Sequence, residues 1–561
     1  MIDIENNEFE ERADYIDEVD LLAWTVENDF FLSIQRKLIE RGAKLIVGPR
    51  GTGKTHQFRH TYLKCLDDKE LPIAFYVSFG KYYHLEPLLF NSANAINVFH
   101  TWVLAKIIIE VTDVAKKFDL DVFPILQTLN LTVEEINLYI EKAERNSPLL
   151  GSESVLNTIS IQRTIEIIEI VTEKLKRKRA ILLLDDAALT LTPDYLVEFF
   201  DVFRSLKTQH ISPKASVYPG TTQYGPRFHV GQDAEEVVAW LNVEDESYSA
   251  FMDTLLEKRL QQVQLNNREI IDLLKYSSFG IPRAFITLVR AFQQNTGKTN
   301  QQKFNGVVTN QRDLLRKEYL SLALKLPQYS TIIKTGLDFF DVIVKNIVEA
   351  NRDNPAEKKT HFGILEEAFT LRANRMIKFL IEAGFLYELS PLHDGPQRIF
   401  QRFIPHYLFL IQARAFSHTK GFSPGDILEF IQRKTDKRPI RKQFKSILNL
   451  QQIDGIKLNL PPCSNCGTER LSEDQKFCHS CGAPLVGHSA FEASLKITIE
   501  ELPLPEWQIQ SIKDYTNIST IEDILMSQSP STELKKAKYI GDKRSFKIYK
   551  LVTDLLEEFL A

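Results

Sequence analysis

The chain has 561 residues, of which 43% are hydrophobic and 25% are charged, and its formal net charge is −5. At about 150 residues per domain this length predicts three or four domains, and the composition is that of a soluble globular protein. There is no uncharged apolar run of about 18 residues, which argues against a membrane span. The first twenty residues hold nine acids and one base, the opposite of a secretory or mitochondrial leader, so we expect a cytoplasmic protein.

The first diagnostic element is a phosphate-binding loop behind a short apolar strand at residues 43–47. The loop matches G-x-x-x-x-G-K-T and consists of Gly48, Pro49, Arg50, Gly51, Thr52, Gly53, Lys54 and Thr55. Its glycines let successive backbone N–H groups turn toward phosphate oxygens, and the helix that follows adds its positive end. In such a loop Lys54 reaches the β- and γ-phosphates and the Thr55 hydroxyl binds Mg²⁺. The sequence therefore predicts a nucleotide-binding protein.

A second apolar strand, residues 180–185, ends in two carboxylates, Asp185 and Asp186. Such a run is typical of a buried strand in a parallel sheet. Asp185 stands where P-loop enzymes hold Mg²⁺, and Asp186 stands where many of them place the glutamate that orients the attacking water. Because aspartate is one methylene shorter, two interpretations of Asp186 stay open: orientation of water, or capping of the next helix.

Two further strands are predicted at residues 73–79 and 215–218, with a largely helical insertion at about 85–145. Alternating strands and helices predict a parallel α/β sheet with its ligand at the carboxyl ends of the strands. Small polar residues follow the last strand, and Thr222 among them is expected to face the γ-phosphate.

The helical segment 246–295 contains Gly280-Ile-Pro-Arg283 at a helix start. Pro282 suits the first helical turn, and Arg283 is placed to reach across a cleft. The alternative for Arg283 is a structural surface arginine.

Together GPRGTGKT, ILLLDD, residues 219–222 and residues 280–283 resemble an AAA+ ATPase of the origin-recognition-complex (initiator) type, a group that overlaps in motif with STAND ATPases. The resemblance covers the first 295 residues. It implies ATP bound between an α/β core and a helical lid, with Thr222 at the sensor 1 position and Arg283 at the sensor 2 position. Asp186 and Thr222 replace the usual glutamate and asparagine, which favours slow hydrolysis and a switch.

The same resemblance implies that a neighbouring subunit inserts an arginine into the nucleotide site, so we expect a homo-oligomer. Arg204 and Arg227 are both candidates for this arginine.

Residues 329–416 resemble a winged helix, which initiator ATPases also carry. One predicted helix presents Arg372, Arg375 and Lys378 opposite an apolar face, and two strand-like runs, 385–389 and 398–404, form a hairpin around Asp394-Gly395. A basic helix fits the DNA major groove and a basic wing fits phosphates. Winged helices also pack against proteins, so both uses stay open.

The C-terminal quarter holds two basic runs and four spaced cysteines. Residues 433–445 and 535–550 each contain seven bases and one acid, which indicates a nucleic-acid partner. Cys463, Cys466, Cys478 and Cys481 form two C-x-x-C-G turns eleven residues apart. A closed set of four thiolates predicts a structural Zn²⁺ site in a small zinc ribbon.

The last seventy residues contain Leu504-Pro-Glu-Trp507, Ile518-Ser-Thr-Ile521-Glu-Asp-Ile524-Leu525 and Ala537-x-Tyr539-Ile-Gly541. On these residues the segment is similar to the C-terminal domain of the bacterial RNA polymerase alpha subunit, which is built on helix-hairpin-helix elements. In this resemblance Tyr539 replaces the first of the usual hairpin glycines. In such hairpins backbone N–H groups and flanking bases contact DNA phosphates. The DNA-binding candidates here are Lys538, Gly541, Lys543, Arg544 and Lys547.

These elements predict an α/β P-loop AAA+ core at 1–245, a helical lid and linker at 246–328, a winged helix at 329–420, a basic helical linker at 421–460, a four-cysteine zinc ribbon at 461–486 and a small all-α helix-hairpin-helix domain at 490–561. The function they favour is an ATP-dependent DNA-binding AAA+ ATPase that acts as a nucleotide-controlled switch or assembly on duplex DNA. The alternative is a STAND-like signalling ATPase of a defence system whose C-terminal modules sense a protein or phage partner. A protein partner encoded nearby fits either function.

Overall fold

The computed structural model describes the chain except residues 1–12, 81–84, 86–93, 146–147, 187–192, 261–266, 367–369, 396–397, 418–422, 437, 461, 464, 472–474, 476, 484, 486–494, 503, 526, 528 and 561, and without the side chains of 554–560. All statements below concern the described residues.

A parallel sheet forms the centre of the N-terminal half. Its strands are β1 (Lys44–Val47), β2 (Ile73–Ser78), β3 (Ala180–Asp185), β4 (Ile211–Val217) and β5 (Glu235–Val238). Their order is β2-β3-β4-β1-β5, and every neighbouring pair is parallel. β3 and β4 are buried along their whole length, as expected for strands covered on both faces. The predicted α/β class with a parallel sheet is confirmed.

Helices cover both faces of this sheet. They are α1 (Glu18–Trp24), α2 (Asp29–Ile39), α3 (Lys54–Asp67), α4 (Ala95–Lys117), α5 (Phe123–Leu126), α6 (Val133–Glu144), α7 (Glu153–Thr158), α8 (Ile161–Lys174) and α9 (Pro193–Ser205). Helices α4 to α8 form the insertion between β2 and β3.

Helix α4 is long and apolar enough to cross a membrane, with a mean hydropathy of 1.4 over a window of 18 residues. However, 67% of that window is buried inside the protein. Trp102 of this helix packs edge-on against Phe79, and Phe99 stacks on Tyr195 at 4.3 Å between ring centroids. The helix is therefore a core element of the α/β domain.

Strand β4 begins four residues earlier than the sequence predicts and contains a buried lysine, Lys214. Its ammonium donates to the carbonyls of Glu40 (2.7 Å) and Gly42 (2.5 Å), which lie just before β1. Burial lowers the pKa of Lys214 to about 6. These bonds fix the position at which the chain enters β1, and therefore the position of the loop that follows it.

A second sheet lies in the C-terminal half, after four helices: α10 (Tyr248–Arg259), α11 (Arg268–Ser278), α12 (Pro282–Gln294) and α13 (Asn300–Lys325). The elements that follow are α14 (Ser330–Asp353), β6 (Phe362–Leu365), α15 (Leu371–Glu382), β7 (Leu386–His393), β8 (Ile399–Pro405) and α16 (Tyr407–Gln412). β7 and β8 form an antiparallel hairpin close to the predicted one.

The first basic run of the sequence joins this second sheet instead of standing apart from it. After α17 (Pro424–Gln432) the chain forms β9 (Ile440–Lys442), which pairs in parallel with β6 and makes the strand order β7-β8-β6-β9. Two short helices, α18 (Phe444–Ile447) and α19 (Leu450–Asp454), follow. The segment that the sequence predicts as a helical linker therefore supplies an edge strand.

The C-terminal region is helical, with α20 (Glu506–Tyr515), α21 (Ile521–Leu525), α22 (Pro530–Leu534) and α23 (Asp542–Leu560). Ile512, Ile521, Leu534 and Ile548 are among the side chains buried in it.

A largely buried carboxylate, Glu244, joins the segment after β5 to the second sheet. It accepts hydrogen bonds from Thr360 Oγ1 (2.5 Å), Tyr407 OH (2.7 Å), Thr435 Oγ1 (2.8 Å) and His361 Nε2 (2.8 Å). Burial alone would raise the pKa of Glu244, but the hydrogen bond from His361 and the nearby charge of Lys358 lower it to about 2. The charged carboxylate is therefore the form that this junction stabilises.

We expect Glu244→Gln to destabilise the protein by about 2 kcal/mol, because the amide nitrogen would face donors that now have an acceptor. The loss should appear as a thermal unfolding midpoint lower by roughly 4 °C. Since the pKa of Glu244 is lowered on folding, its stabilisation is present above the model-peptide value of 4.5 and is lost as the pH falls toward 2. The difference between the two proteins should therefore shrink below pH 4.5.

The matched control is Glu246→Gln, since Glu246 is an exposed carboxylate two residues away. Equal midpoints for the Glu244 and Glu246 variants would contradict the structural importance of this junction.

Candidate functional site

The phosphate loop lies between β1 and α3, as predicted. Gly51 and Gly53 adopt the left-handed conformation at φ +81° and +91°, which glycine reaches without steric cost. The ammonium of Lys54, the first residue of α3, is buried and donates to the carbonyls of Gly48 (2.6 Å) and Pro49 (3.0 Å). Burial lowers the pKa of Lys54 to about 7, while the charge of Asp185 raises it. A bound polyphosphate would favour the charged form, which suits a phosphate-binding lysine.

The start of helix α12 is fitted against this loop. The backbone N–H of Arg283 donates to the Gly51 carbonyl at 3.3 Å. A Cβ atom on Gly51 would stand 2.8 Å from Arg283 Cβ and 3.0 Å from Ile281 Cγ2, so only glycine fits there. The structure therefore brings the backbone of Arg283 to the phosphate loop, and its sensor 2 role stays a prediction.

The two carboxylates at the end of β3 lie in the same buried region. Asp185 accepts from Tyr76 OH at 3.2 Å and from the Asp186 N–H at 3.1 Å. Asp186 has a φ of +55°, and its N–H also donates to Ser216 Oγ at 3.0 Å. Burial and then the Asp185 charge raise the pKa of Asp186 to about 7. A carboxylate with this pKa has the basicity that water activation near neutral pH requires.

The capping alternative for Asp186 concerns the start of the next segment, residues 187–192, which lies outside the described residues. The roles of both aspartates stay predictions.

A tyrosine outside the predicted set of site residues faces Lys54 of the phosphate loop. Tyr218 follows the last residue of β4, and its ring centroid lies 4.1 Å from Lys54 Nζ and 5.5 Å from Arg50 Cζ. Thr222, which the sequence predicts to face the γ-phosphate, closes a turn: its hydroxyl accepts from the Tyr218 N–H at 3.0 Å. Its role toward a γ-phosphate stays a prediction. Thr222 therefore positions Tyr218, and Tyr218 covers Lys54.

The turn that follows Tyr218 is bound by a residue of helix α15, Glu382. The Glu382 carboxylate accepts from the backbone N–H groups of Gly220 and Thr221, each at 2.7 Å, and from the Thr221 hydroxyl at 3.0 Å. A Cβ atom on Gly220 would stand 2.9 Å from the backbone of Phe379, so helix and turn are in direct contact. We name residues 218–222 the sensor turn. It contacts the phosphate loop through Tyr218 and α15 through Gly220 and Thr221.

Helix α15 also carries the three basic residues predicted to contact DNA, and each of the three side chains has a different environment in the structure. Arg372 is exposed. Arg375 packs on the rings of Tyr329 and Phe379, with its Cζ 5.4 Å from each ring centroid. Lys378 forms an ion pair with Glu388 of β7 at 2.8 Å. Of the three, only Arg372 is fully exposed in this conformation.

The four predicted cysteines form one cluster, and their Sγ atoms all lie within 4.8 Å of one another. Cys463 and Cys481 are 3.6 Å apart, and Cys466 and Cys478 are 3.5 Å apart. A tetrahedral site with Zn–S bonds of about 2.3 Å requires sulfurs about 3.8 Å apart, so the donor set fits Zn²⁺.

Both cysteine turns have the same backbone. The N–H groups of Gly467 and Gly482 donate to the carbonyls of Cys463 and Cys478, and both glycines have a φ of +71°. The fifth cysteine, Cys65, is buried in the α/β core, and burial raises its pKa to about 12. It is therefore an inert core side chain.

The C-terminal hairpin holds a tyrosine where helix-hairpin-helix elements place glycine. Tyr539 has a φ of +67°, a conformation that costs a non-glycine residue about 1 kcal/mol. Arg544 offsets this cost, because its Nη1 donates to the Tyr539 carbonyl at 2.7 Å and its Cζ lies 5.1 Å from the Trp507 ring centroid. Arg544 therefore holds the hairpin together. The other candidates, Lys538, Gly541, Lys543 and Lys547, are exposed.

The two candidates for an inserted arginine lie side by side on the surface. Arg204 and Arg227 each lie 3.7 Å from a carboxylate oxygen of Asp201. The Arg227 side chain is 74% exposed and that of Arg204 is 38% exposed.

No protein-family model and no curated protein matches this sequence. Solved structures are similar to the chain, among them two Aeropyrum pernix proteins. The Aeropyrum pernix ORC1 protein in complex with DNA is 13% identical with a TM-score of 0.28, and the match covers 71% of this chain and 91% of that one. The Aeropyrum pernix ORC2 protein, in ADPNP–ADP complexes, is 11% identical with a TM-score of 0.29, and the match covers 76% and 97% of the two chains.

Metal analysis of the purified protein should find about one zinc ion per chain, because four thiolates close a structural site. A variant with Cys463→Ser and Cys466→Ser should hold none, since two ligands are too few for a structural site. Cys65→Ala, which removes a thiol outside the cluster, is the control and should keep its zinc. Equal zinc in the double variant and the wild type would remove the assignment.

Proposed function

We propose that this chain is an ATP-dependent DNA-binding AAA+ ATPase that acts as a nucleotide-controlled switch on duplex DNA. The observation that carries the proposal is the contact path from Lys54, through the sensor turn, to Glu382 on a helix of the second sheet domain. It gives the nucleotide site a direct mechanical connection to a module that carries basic residues.

The nucleotide half of the switch needs a triphosphate and Mg²⁺. The hydroxyl of Thr55 and the carboxylate of Asp185 are the hard oxygen ligands that Mg²⁺ takes, and the ion would neutralise phosphate charge when bound. Lys54 would exchange the carbonyls of Gly48 and Pro49 for phosphate oxygens. Asp186, with its raised pKa, is the residue we assign to orient water.

The switching step follows from the position of Tyr218. Its ring covers Lys54 at 4.1 Å, so a γ-phosphate that draws Lys54 away removes one contact of the ring. Because Thr222 binds the Tyr218 N–H, a shift of the tyrosine is passed to the turn that Glu382 holds. Binding at one end of this path must then change affinity at the other by the same factor.

The DNA half consists of three basic regions. Arg372 lies at the N-terminal end of α15. Arg441 and Lys442 lie on edge strand β9, and the hairpin lysines lie in the C-terminal helical region. The order α14, β6, α15, β7, β8 supports a winged helix, and β9 extends its sheet with the basic run. The chain is acidic overall, so these local clusters are its means of attracting phosphates.

We also propose a homo-oligomer in which Arg227 enters the neighbouring nucleotide site, because it is the more exposed of the two candidates. Arg204 donates to the Arg227 carbonyl at 3.1 Å and would hold its neighbour in place. The proposed location is the cytoplasm.

The switch is tested by measuring DNA affinity with ATP, with ADP and without nucleotide. We expect the wild-type affinity for a duplex to differ about tenfold between ATP and no nucleotide, within the usual range of coupling between two sites. Glu382→Gln should reduce this ratio to near one, because an amide cannot accept three hydrogen bonds as the carboxylate does.

Glu388→Gln is the matched control, since Glu388 lies on the same module but contacts Lys378. If the Glu382 variant keeps the full nucleotide dependence, coupling through the sensor turn is refuted. If the wild type binds no duplex at any salt concentration, the alternative of a signalling ATPase without DNA gains support.

The ATPase assignment is tested with two substitutions. Lys54→Ala should abolish ATP binding, because it removes the buried cation of the loop. Asp186→Asn should keep ATP bound and slow turnover at least tenfold, because the amide cannot take a proton from water. Single-turnover kinetics with labelled ATP measure both quantities. Normal turnover by the Asp186 variant would mean that another residue orients the water.

A further inference from the structure

We infer that the C-terminal hairpin binds single-stranded nucleic acid through the exposed rings of Tyr539 and Phe546, on which unpaired bases stack. The inference rests on the proposed function in that the chain binds DNA. It deepens that function by naming the form of DNA that this hairpin takes.

The hairpin tip presents an aromatic ring in place of bare backbone. Tyr539 is 70% exposed, and its φ of +67° belongs to a conformation that favours glycine. A glycine there would let the hairpin backbone lie directly on a phosphate. The Tyr539 ring instead occupies the space through which a phosphate would approach the backbone. Lys538 Nζ lies 5.3 Å from the centroid of this ring. The tip therefore offers a π-face beside a cation.

The helix that follows carries a second exposed ring among lysines. Lys543, Phe546, Lys547 and Lys550 are spaced at i, i+3, i+4 and i+7, so they share one face of α23, and Phe546 is 63% exposed. Lysines four residues apart repel each other, so this arrangement disfavours the isolated helix. An anionic partner would remove that repulsion.

The hairpin is held in place by contacts that leave its outer surface accessible. Arg544 bonds the Tyr539 carbonyl and lies over Trp507, and the Ser511 hydroxyl donates to the Lys538 carbonyl at 2.7 Å. These bonds use backbone atoms and the Arg544 guanidinium. The ring of Tyr539 and the Lys543 and Lys547 side chains stay exposed.

The combination of exposed rings and lysines indicates the chemical class of the partner. In a duplex each base is stacked between its neighbours, so a protein ring finds a free base only in a single strand or a gap. Aromatic platforms in a positively charged surface are typical of proteins that bind single strands without sequence preference. The basic excess of residues 535–550 argues against a neutral apolar partner.

The test compares three labelled oligomers on the full-length protein by fluorescence anisotropy. They are an oligo-dT of about 20 nucleotides, an abasic strand with the same number of phosphates, and a duplex of the same length. We expect the wild type to bind oligo-dT about tenfold more tightly than the abasic strand. Tyr539→Gly and Phe546→Ala should each lower that ratio several-fold. Phe546→Ala should change duplex affinity less than twofold, and Tyr539→Gly should leave duplex affinity unchanged or raise it, because glycine lets the backbone approach a phosphate.

Two features of the variants distinguish a loss of ring stacking from a loss of structure. Glycine suits the backbone at position 539 better than tyrosine does, so a loss of binding by Tyr539→Gly does not come from backbone strain. Tyr515→Ala is the matched control, because Tyr515 is 53% exposed in the same C-terminal region and lies outside the hairpin. It should keep the full preference for bases.

The outcomes separate this inference from the proposed function. Equal wild-type affinity for oligo-dT and the abasic strand would overturn base stacking while leaving phosphate binding intact. A preference for bases that persists in both ring variants would overturn the assignment to Tyr539 and Phe546. Binding to none of the three oligomers would contradict the proposed function as well.

Discussion

The hydrogen bonds between Glu382 and the sensor turn connect the α/β core to the helix that packs beside the second sheet. One carboxylate binds the backbone N–H groups of Gly220 and Thr221 and the Thr221 hydroxyl, and the missing side chain of Gly220 lets Phe379 approach the turn. A charged acceptor with several donors is among the stronger polar contacts that proteins make. Without it, the nucleotide core and the second sheet domain would lose the contact that links the sensor turn to helix α15.

The proposed nucleotide site combines buried charge with close packing. Lys54 and Asp186 both have pKa values shifted to about 7 by burial, in opposite directions. Such groups respond strongly to a bound polyanion and metal ion, because each new charge changes their protonation. Tyr218 and the glycines at 51 and 220 leave little room for independent movement. A change at the phosphates is therefore expected to move the sensor turn as a unit.

The sequence predicted the parts of the site whose signal is local. The phosphate loop, the end of β3 and the two cysteine turns are each specified by a few consecutive residues whose chemistry has one common use. β4 was predicted too short because Ser212, Pro213 and Lys214 interrupt its apolar pattern, and the lysine is buried through carbonyls distant in sequence. β5 was missed because an edge strand of two glutamates and two valines has no distinctive pattern.

Contacts between distant segments were beyond the reach of sequence patterns. Tyr218 follows a buried strand, which is a usable signal, but nothing local indicates that its ring covers Lys54. Glu382 lies 161 residues from Thr221, and its helix reads as basic rather than as a docking surface. Helical spacing predicts that Arg375 lies on a polar face, yet its side chain packs on Tyr329. Periodicity predicts the face of the helix on which a side chain lies, but it does not identify the residue that packs against it.

Amide hydrogen exchange at Gly220 and Thr221 tests the central claim most directly, because these two N–H groups are the ones that Glu382 binds. We expect saturating ATP to change their protection relative to the nucleotide-free protein, and duplex DNA to change it as well. Exchange at both amides that is identical with and without bound ATP would contradict a switch that works through this turn.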